Sequence, residues 1–156
     1  MTQNPFRDLG ELKAQQKEFK LHLAVVEQLP IWYPQVKFLH IPNRPGDASD
    51  GYFKKLMGSA PGASDLLVGW KFGSKLGGAG FIELKAPDGV VSSTQNKFLS
   101  GWATIGFHTG IARSCREVYA LIERWGVKPA SSAIREPDYR TVNEKRADAF
   151  DLYAPR

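Results

Sequence analysis

The sequence predicts an α/β protein in which helices pack on one mixed β-sheet. Apolar residues recur at helical spacing over residues 8–29 and then alternate, as in strands, over several short segments. A Gly-rich stretch at 73–80 separates two of these segments and indicates a hairpin connection. Two capping boxes, beginning at Ser92 and Ser114, mark helices on either side of another strand. This order of helices and strands is typical of a mixed sheet covered by helices.

Each element has its own signal in the sequence. The first helix is predicted to begin at a capping box formed by Asp8 and Glu11, and Pro30 is predicted to end it because proline lacks the backbone N–H. Its core stripe is predicted to consist of Phe19, Leu23, Val26 and Leu29. Strands are predicted at 36–43, 65–72, 81–86 and 107–114, and further helices at 92–106 and 114–126.

Length and a change of composition set the domain boundaries. A chain of 156 residues fits one domain, which is predicted to span residues 1–127. Residues 128–156 hold three prolines and little periodicity, which indicates a tail, or an arm that packs on the core or on a partner. Within the domain, residues 44–64 are predicted to form a long loop, which could include a short helix around 52–57.

Composition disfavours several classes of protein. A net charge of +5 and a pI near 9.4 favour a phosphate-rich partner, although many other proteins share this balance. No apolar run approaches the roughly 18 residues of a membrane span, and the first residues lack a signal-peptide core. We therefore expect a cytoplasmic protein that does not enter membranes. Cys115 is the only cysteine, which excludes an intramolecular disulfide and disfavours a cysteine-based zinc site.

The stretch FIELKAPDG, residues 81–89, places charges in a strand that otherwise resembles a buried one. Glu83 and Lys85 point to one face of this strand, and Asp65 begins the strand before it. In an antiparallel hairpin the start of one strand meets the end of the other, so the three charges meet at one edge of the sheet. Two carboxylates held close together repel unless a divalent cation bridges them. The pattern therefore predicts a site for a metal and a phosphate.

A Glu-x-Lys pair by itself has a simpler explanation, because on a strand it is usually a solvated face. Three further features favour chemistry at this strand. They are Asp65 before it, the Gly-rich hairpin, and Gln95 after it.

The same residues carry a resemblance to a nuclease family. The chain resembles the VRR-NUC family of the PD-(D/E)xK superfamily, especially its small stand-alone phage members, over roughly residues 15–127. The matching stretches are EFKLH at 18–22, HIPN at 40–43, GASDLLV at 62–68, FIELKAPDGVVSSTQ at 81–95 and GFHTGIARSCREVYALIERWGV at 106–127. Ser64 departs from the pattern, because the family has proline before its metal-binding Asp. That proline stiffens the chain and donates no ligand, so we expect activity to survive.

This resemblance implies a fold, an activity and partners. The implied fold is restriction-endonuclease-like, with a mixed central sheet flanked by helices. The implied activity is that of a metal-dependent DNA endonuclease that hydrolyses phosphodiester bonds with Mg²⁺, or Mn²⁺ in its place. Branched or Holliday-junction-like DNA is the implied substrate, and a homodimer would suit symmetric cutting of two strands. A phage protein would work in the host bacterial cytoplasm.

The resemblance also assigns roles to individual residues. Asp65 and Glu83 are the implied metal ligands, with the backbone carbonyl of Leu84 as a third ligand. Lys85 is implied to orient or activate the attacking water and to offset charge on the phosphate. Glu18 would bind the metal through water or complete a second site. Gln95 would hydrogen-bond near the water or the scissile phosphate.

Each of these side chains also has a purely structural explanation. Asp65 could cap the start of its strand, Lys85 could form a surface ion pair, and Glu18 could form an ordinary salt bridge on its helix. Gln95 could complete the capping box of Ser92, and this role is compatible with a role in the site.

Polar residues outside this group are assigned more weakly. Contacts with DNA phosphates are predicted on the long loop, at Asn43, Arg44, Lys54 and Lys55. The three histidines show no metal-ligand spacing and are predicted to be structural, with hydrogen bonds at the core edge for the first two: His22, His40 and His108.

Two other functions are compatible with the sequence. A non-catalytic DNA-binding or phage assembly protein on the same fold would keep the basic surface and bind no metal. An RNA nuclease is also compatible, because no residue recognisably contacts a 2′-hydroxyl. A melting temperature that rises with metal would favour the nuclease over the non-catalytic protein.

Overall fold

The computed structural model describes residues 5–42, 58, 60–73 and 75–140. Within these ranges the chain forms α1 (Pro5–Trp32), β1 (Lys37–His40), β2 (Leu66–Phe72), β3 (Lys75–Leu84), α2 (Ser93–Thr104), β4 (His108–Ala112) and α3 (Cys115–Arg124). No helix in these ranges is both long enough and apolar enough to cross a membrane.

The four strands form one mixed sheet in the order β1-β2-β3-β4. β1 and β2 are antiparallel, with His40 opposite Leu66, and β2 and β3 form an antiparallel hairpin with Leu66 opposite Ile82. After α2, β4 adds parallel to β3, with Leu84 opposite Ala112. The predicted α/β class, a mixed sheet with helices packed on it, is confirmed.

The sheet separates two layers of helices. The face that carries Ile82 and Leu84 packs on α1 and α3 and forms the main core. The other face carries Phe81, whose ring lies against Phe98 of α2. Because successive residues of a strand alternate between faces, Glu83 shares the α2 face with Phe81.

Helix α1 begins at Pro5, continues through Pro30 and ends at Trp32, so the predicted start at Asp8 and the predicted stop at the proline were both wrong. The proline removes one backbone hydrogen bond from the last turn of the helix. Trp32 offsets this loss, because it is fully buried and its indole N–H donates to the carbonyl of Ala133 at 2.8 Å.

The buried face of α1 also differs from the predicted stripe. Phe19 and Leu23 are 60% and 53% exposed, whereas Leu29 is fully buried as predicted. The residues of α1 that face the core are Leu21, Val25, Gln28, Leu29 and Trp32. Because α1 turns this face to the core, Glu18 and His22 lie over the ends of the strands. Glu18 contacts Ala86, which follows β3, and His22 contacts His40, which ends β1.

Strand β3 is longer than predicted. It begins at Lys75, so most of the Gly-rich stretch that was predicted as a connection belongs to the strand. Gly77 and Gly78 are needed there because a Cβ atom at either position would collide with the backbone or the ring of Trp70 on β2. The glycines therefore mark a close approach between two strands, and not an extended turn.

Residues 128–140 lie along α1 and the start of α3 without forming a helix or a strand. The side-chain amide of Gln28 makes two hydrogen bonds of 2.7 Å with the backbone of Arg135. The carboxylate of Glu136 accepts from the backbone N–H groups of Cys115 and Arg116 at 2.8 and 2.9 Å. These bonds dock the segment on the sheet-and-helix core, and the boundary at residue 127 stays a prediction.

Candidate active site

The three charges predicted to converge are brought together at the end of β3. The hairpin register places Asp65 beside Glu83, since the next pair of opposed residues is Leu66 and Ile82. Asp65 Oδ2 accepts a hydrogen bond of 2.7 Å from the backbone N–H of Leu84. The side chains of Glu83 and Lys85 emerge on the same side and pair with each other.

Glu83 is the most buried charged residue in the described ranges, at 2% exposure. Its Oε1 accepts from the Gln95 side-chain amide and lies 3.1 Å from Lys85 Nζ. Its Oε2 is also buried, and no described residue donates to it. Burial, followed by the charge of Asp65, raises the pKa of Glu83 to about 7, although Lys85 acts in the opposite direction. A buried carboxylate oxygen without a donor is costly unless a proton or a cation occupies that side.

Helix α1 supplies Glu18 from the other side of Lys85. Glu18 Oε1 lies 3.6 Å from Lys85 Nζ and accepts from the backbone N–H of Ala86 at 3.3 Å. A Cβ atom on Gly89 would lie 3.1 Å from the same Glu18 oxygen, so a glycine keeps this approach open. Lys85 therefore lies between two carboxylates with only 11% of its side chain exposed. This burial distinguishes it from the surface ion pair that was the alternative explanation for Lys85.

Gln95 forms the predicted capping box and also contacts Glu83. Its backbone N–H donates to Ser92 Oγ at 3.2 Å, and its side-chain oxygen accepts from the Ser92 N–H at 2.8 Å, which completes the capping box of α2. Its side-chain nitrogen donates to Glu83 Oε1. Gly62, with a φ of 75°, lets the loop before Asp65 pass close to the first turn of α2. A Cβ atom on Gly62 would lie 2.7 Å from the backbone nitrogen of Gln95. The start of α2 thus holds Gln95 against Glu83.

Two histidines that were predicted to be structural lie at the same end of the sheet. The rings of His22 and His40 meet edge to face, with their centroids 4.6 Å apart. His40 Nδ1 lies 3.1 Å from the backbone carbonyl oxygen of Asp65, and because a carbonyl only accepts, we assign the hydrogen to Nδ1. Burial lowers the pKa of His22, His40 lowers it further, and Asp65 raises it. Their sequence signal is slight: His22 lies one helical turn after Glu18.

The acidic side chains fit a hard divalent cation. In the described ranges, no three His, Cys, Asp or Glu side chains form a group that could hold a metal by themselves. Mg²⁺ does not need such a group, because one or two carboxylates commonly hold it while waters and substrate phosphates complete its shell. The protein ligands of such a cation would be the carboxylate of Asp65, the buried Oε2 of Glu83 and the backbone carbonyl of Leu84. Glu18 lies beyond Lys85, where a contact through water is the suitable one.

The remaining residues singled out from the sequence are not part of this arrangement. The four residues of the predicted phosphate contacts lie outside the described ranges: Asn43, Arg44, Lys54 and Lys55. Ser64 is fully buried, and none of the described residues bonds to its Oγ. His108 stacks on Trp125 at the opposite end of the sheet, with ring centroids 5.4 Å apart. A groove of about 640 Å³ beside Gly78 and Phe107 lies at that end too; His108 lines it, and none of the described candidates at the end of β3 does.

Comparison with known proteins adds information on the fold. No protein-family model matches the chain. No curated protein matches it at a significant level. Among solved structures, the chain is similar to one described as a VRR_NUC domain protein, with 17% sequence identity and a TM-score of 0.55 over 76% of this chain and 96% of that one. The chain therefore shares with a VRR_NUC domain protein the restriction-endonuclease-like fold, a mixed sheet flanked by helices, that the sequence predicted.

Proposed function

We propose that the chain is a metal-dependent endonuclease that hydrolyses phosphodiester bonds in DNA. The observation that carries this proposal is the buried end of β3. There Glu83, which lies opposite Asp65 in the hairpin, has one buried oxygen without a donor, and Lys85 links Glu83 to Glu18. A carboxylate pair next to a buried ammonium suits a cation and an anionic phosphate at the same time. The fold shared with a VRR_NUC domain protein supports this proposal.

In this proposal each side chain has a separate task. A divalent cation, when bound at Asp65 and Glu83, supplies Lewis-acid stabilisation of the charge on the phosphate. Gln95 fixes Glu83 through Oε1, so Oε2 would be the oxygen that binds the cation. Lys85, held between Glu83 and Glu18, donates hydrogen bonds to the attacking water and to the phosphate. Water attacks the phosphorus, the bond to the 3′ oxygen breaks, and that oxygen gains the proton that the water loses, which leaves a 5′-phosphate and a 3′-hydroxyl end.

We further propose Mg²⁺ or Mn²⁺ as the cation, branched or Holliday-type DNA as the preferred substrate, and a homodimer as the acting form. The substrate and the dimer extend the sequence resemblance. A dimer would supply the two active sites that symmetric cutting of two strands needs. Contacts to phosphates should dominate affinity, so DNA binding should weaken steeply as salt is added.

A cleavage assay tests the proposal. Labelled four-way junction, fork, duplex and single-stranded DNA, together with RNA, are incubated with Mg²⁺, Mn²⁺ or EDTA. We expect metal-dependent cutting of DNA by the wild type, and a loss of about 100-fold or more in Lys85→Ala. Lys128→Ala is the matched control, because Lys128 is an exposed lysine in the segment after α3 and should not affect the rate.

Other outcomes of the same assay would refute this assignment. Cutting of RNA alone would identify an RNA nuclease. Salt-sensitive DNA binding without cutting in any metal would identify a non-catalytic DNA-binding protein on this fold.

A further inference from the structure

We propose that His22 contacts the substrate, with its imidazole N–H donating to a DNA phosphate beside the metal site, and that His40 positions it. This inference rests on the proposed function. Its basis is that two of the three histidines in the chain meet at the end of the sheet where Asp65 lies.

The order of the strands fixes the side of the site on which these rings lie. Lys85 follows β3, Asp65 precedes β2, and His40 ends β1, so the three groups succeed one another at the spacing of neighbouring strands, about 4.8 Å. Helix α1 crosses the strand ends in the same direction. Glu18 reaches the backbone just after β3, and one turn later His22 reaches His40. Both imidazole rings therefore lie beside Asp65, on the side away from Lys85.

His22 is better suited than His40 to donate to a phosphate. The Nδ1 hydrogen of His40 is used on the Asp65 carbonyl, so a neutral His40 offers only a lone pair at Nε2. The backbone N–H of Ile41 bonds to the same carbonyl at 2.9 Å, which fastens the end of β1 to Asp65. In the described part of the chain, no residue makes a hydrogen bond with the His22 ring, which is only half-buried. A neutral imidazole keeps one N–H, and that of His22 is therefore available to the substrate.

His40 acts on the substrate through His22. Its ring is anchored at Asp65 and meets the His22 ring edge to face, which restricts the rotation of His22. A donor whose orientation is already fixed loses less conformational entropy when it binds.

The test compares variants that keep either the N–H or the ring. His22→Asn and His22→Gln place an amide N–H near the positions of Nδ1 and Nε2, whereas His22→Phe keeps an aromatic ring without a donor. Each is made in Lys85→Ala protein, and its affinity for junction and duplex DNA is measured by fluorescence anisotropy in EDTA. We expect His22→Phe to bind roughly tenfold more weakly, or worse, and at least one amide variant to keep most of the affinity.

A matched control and a melting curve exclude indirect effects. His108→Phe changes the third histidine, which stacks on Trp125 at the far end of the sheet, and should leave affinity unchanged. Melting curves show that each variant is folded, and His22→Ala replaces His22→Phe if the latter does not fold. Unchanged affinity in the ring variant, or equal losses in all His22 variants, would overturn the assignment.

A second comparison tests the role of His40. His40→Phe alone should weaken binding, and it should add nothing once His22→Phe is present, because His40 acts through His22. A further loss in the double variant would show that His40 contributes by a separate route and would overturn its positioning role.

The binding readout also separates this inference from the proposed function. Wild-type protein that binds DNA without cutting it would refute the nuclease and leave the His22 comparison decisive. Metal-dependent cutting together with unaffected binding in His22→Phe would refute only the role of His22. A protein that binds no DNA would refute both.

Discussion

A single residue, Glu83, shows why an otherwise buried strand carries charges. One of its carboxylate oxygens contacts both Lys85 and Gln95. The other is buried and receives no hydrogen bond from any described residue. The pairing of the charges could be predicted from the sequence, because a hairpin determines which strand ends meet and the Glu-x-Lys spacing determines the face. The open oxygen could not be predicted, because it depends on which side chains from other elements reach Glu83.

The raised pKa of Glu83 predicts how the metal-free stability varies with pH. The folded protein keeps this proton up to about pH 7, whereas the usual pKa of the group is 4.5, so between these values the folded form binds more protons. The contribution of Glu83 to stability is therefore complete below about pH 4.5, declines as the pH rises to about 7, and is level above that.

Melting in EDTA across this pH range measures the effect. Glu83→Gln cannot titrate at this position, so its melting temperature should decline less than that of the wild type between about pH 4.5 and 7. Parallel curves for the two proteins would contradict the assignment of the raised pKa.

The histidine pair shows the limit of reasoning at the residue scale. Spacing within α1 places His22 beside Glu18 on one edge of the helix. It does not show that the ring of His40 lies opposite, because that contact depends on how α1 crosses the strand ends. Both residues were predicted to be structural because they lack metal-ligand spacing, and their role at the site is a proposal from the structure.

Among the elements, helix α1 shows why apolar periodicity alone is ambiguous. Phe19 and Leu23 are four residues apart, as are Leu21 and Val25, so two stripes have helical spacing. Contacts with α3 and with residues 128–140 select the second stripe. The second stripe was not recognised in the sequence because it contains the polar Gln28. The amide of Gln28 can be buried because it bonds to the backbone of Arg135, 107 positions later in the chain.

The contact between the loop at Gly62 and the start of α2 gives a prediction for these elements. Gly62→Ala forces a side chain into a left-handed conformation against the backbone of Thr94 and Gln95, where the added Cβ would lie within 2.7 Å. We expect a loss of at least about 1 kcal/mol in the free energy of unfolding. We also expect slower cleavage, because Gln95 and Asp65 are both displaced. Chemical denaturation and the junction-cleavage assay measure these effects.

Gly101 is the matched control for this substitution. It lies within α2, and a Cβ added there meets nothing within 4 Å. Gly101→Ala should therefore stabilise the protein by about 1 kcal/mol through helix propensity and leave the cleavage rate unchanged. If Gly62→Ala were as well tolerated as Gly101→Ala, the loop would not hold α2 in place.

At the scale of the whole molecule, the segment after α3 connects α1 to α3 through hydrogen bonds. Gln28 of α1 holds the backbone of Arg135, and the next residue, Glu136, accepts from two N–H groups at the start of α3. Carboxylates at a helix N-terminus are stabilising because they satisfy backbone donors and interact with the helix dipole. The composition of residues 128–156 did not reveal these bonds, because they join positions far apart in the chain.

A pair of glutamate variants tests this segment. Glu136→Ala should lower the free energy of unfolding by about 1 kcal/mol, because the start of α3 loses its acceptor. Glu27→Ala removes the exposed pair with Arg135 and should cost less than about 1 kcal/mol. Chemical denaturation compares the two, and equal losses would show that Glu136 contributes no more than a surface charge.

The fold class was the most predictable property of the molecule. The order of the elements and one hairpin sufficed for it, since few topologies satisfy both. The length of β3 was less predictable, because Gly77 and Gly78 serve the close packing of Trp70 and do not mark a turn.

The proposed function depends first on a divalent cation held by Asp65 and Glu83. Thermal melting during a Mn²⁺ titration tests it most directly, at about pH 8, where Glu83 is ionised. Mn²⁺ should stabilise the wild type by about 2.7 kcal/mol when free metal exceeds its Kd about 100-fold. It should stabilise the exposed control Glu27→Gln equally, and it should not stabilise Glu83→Gln. An equal rise in melting temperature in Glu83→Gln, or no rise in the wild type at millimolar Mn²⁺, would contradict the claim.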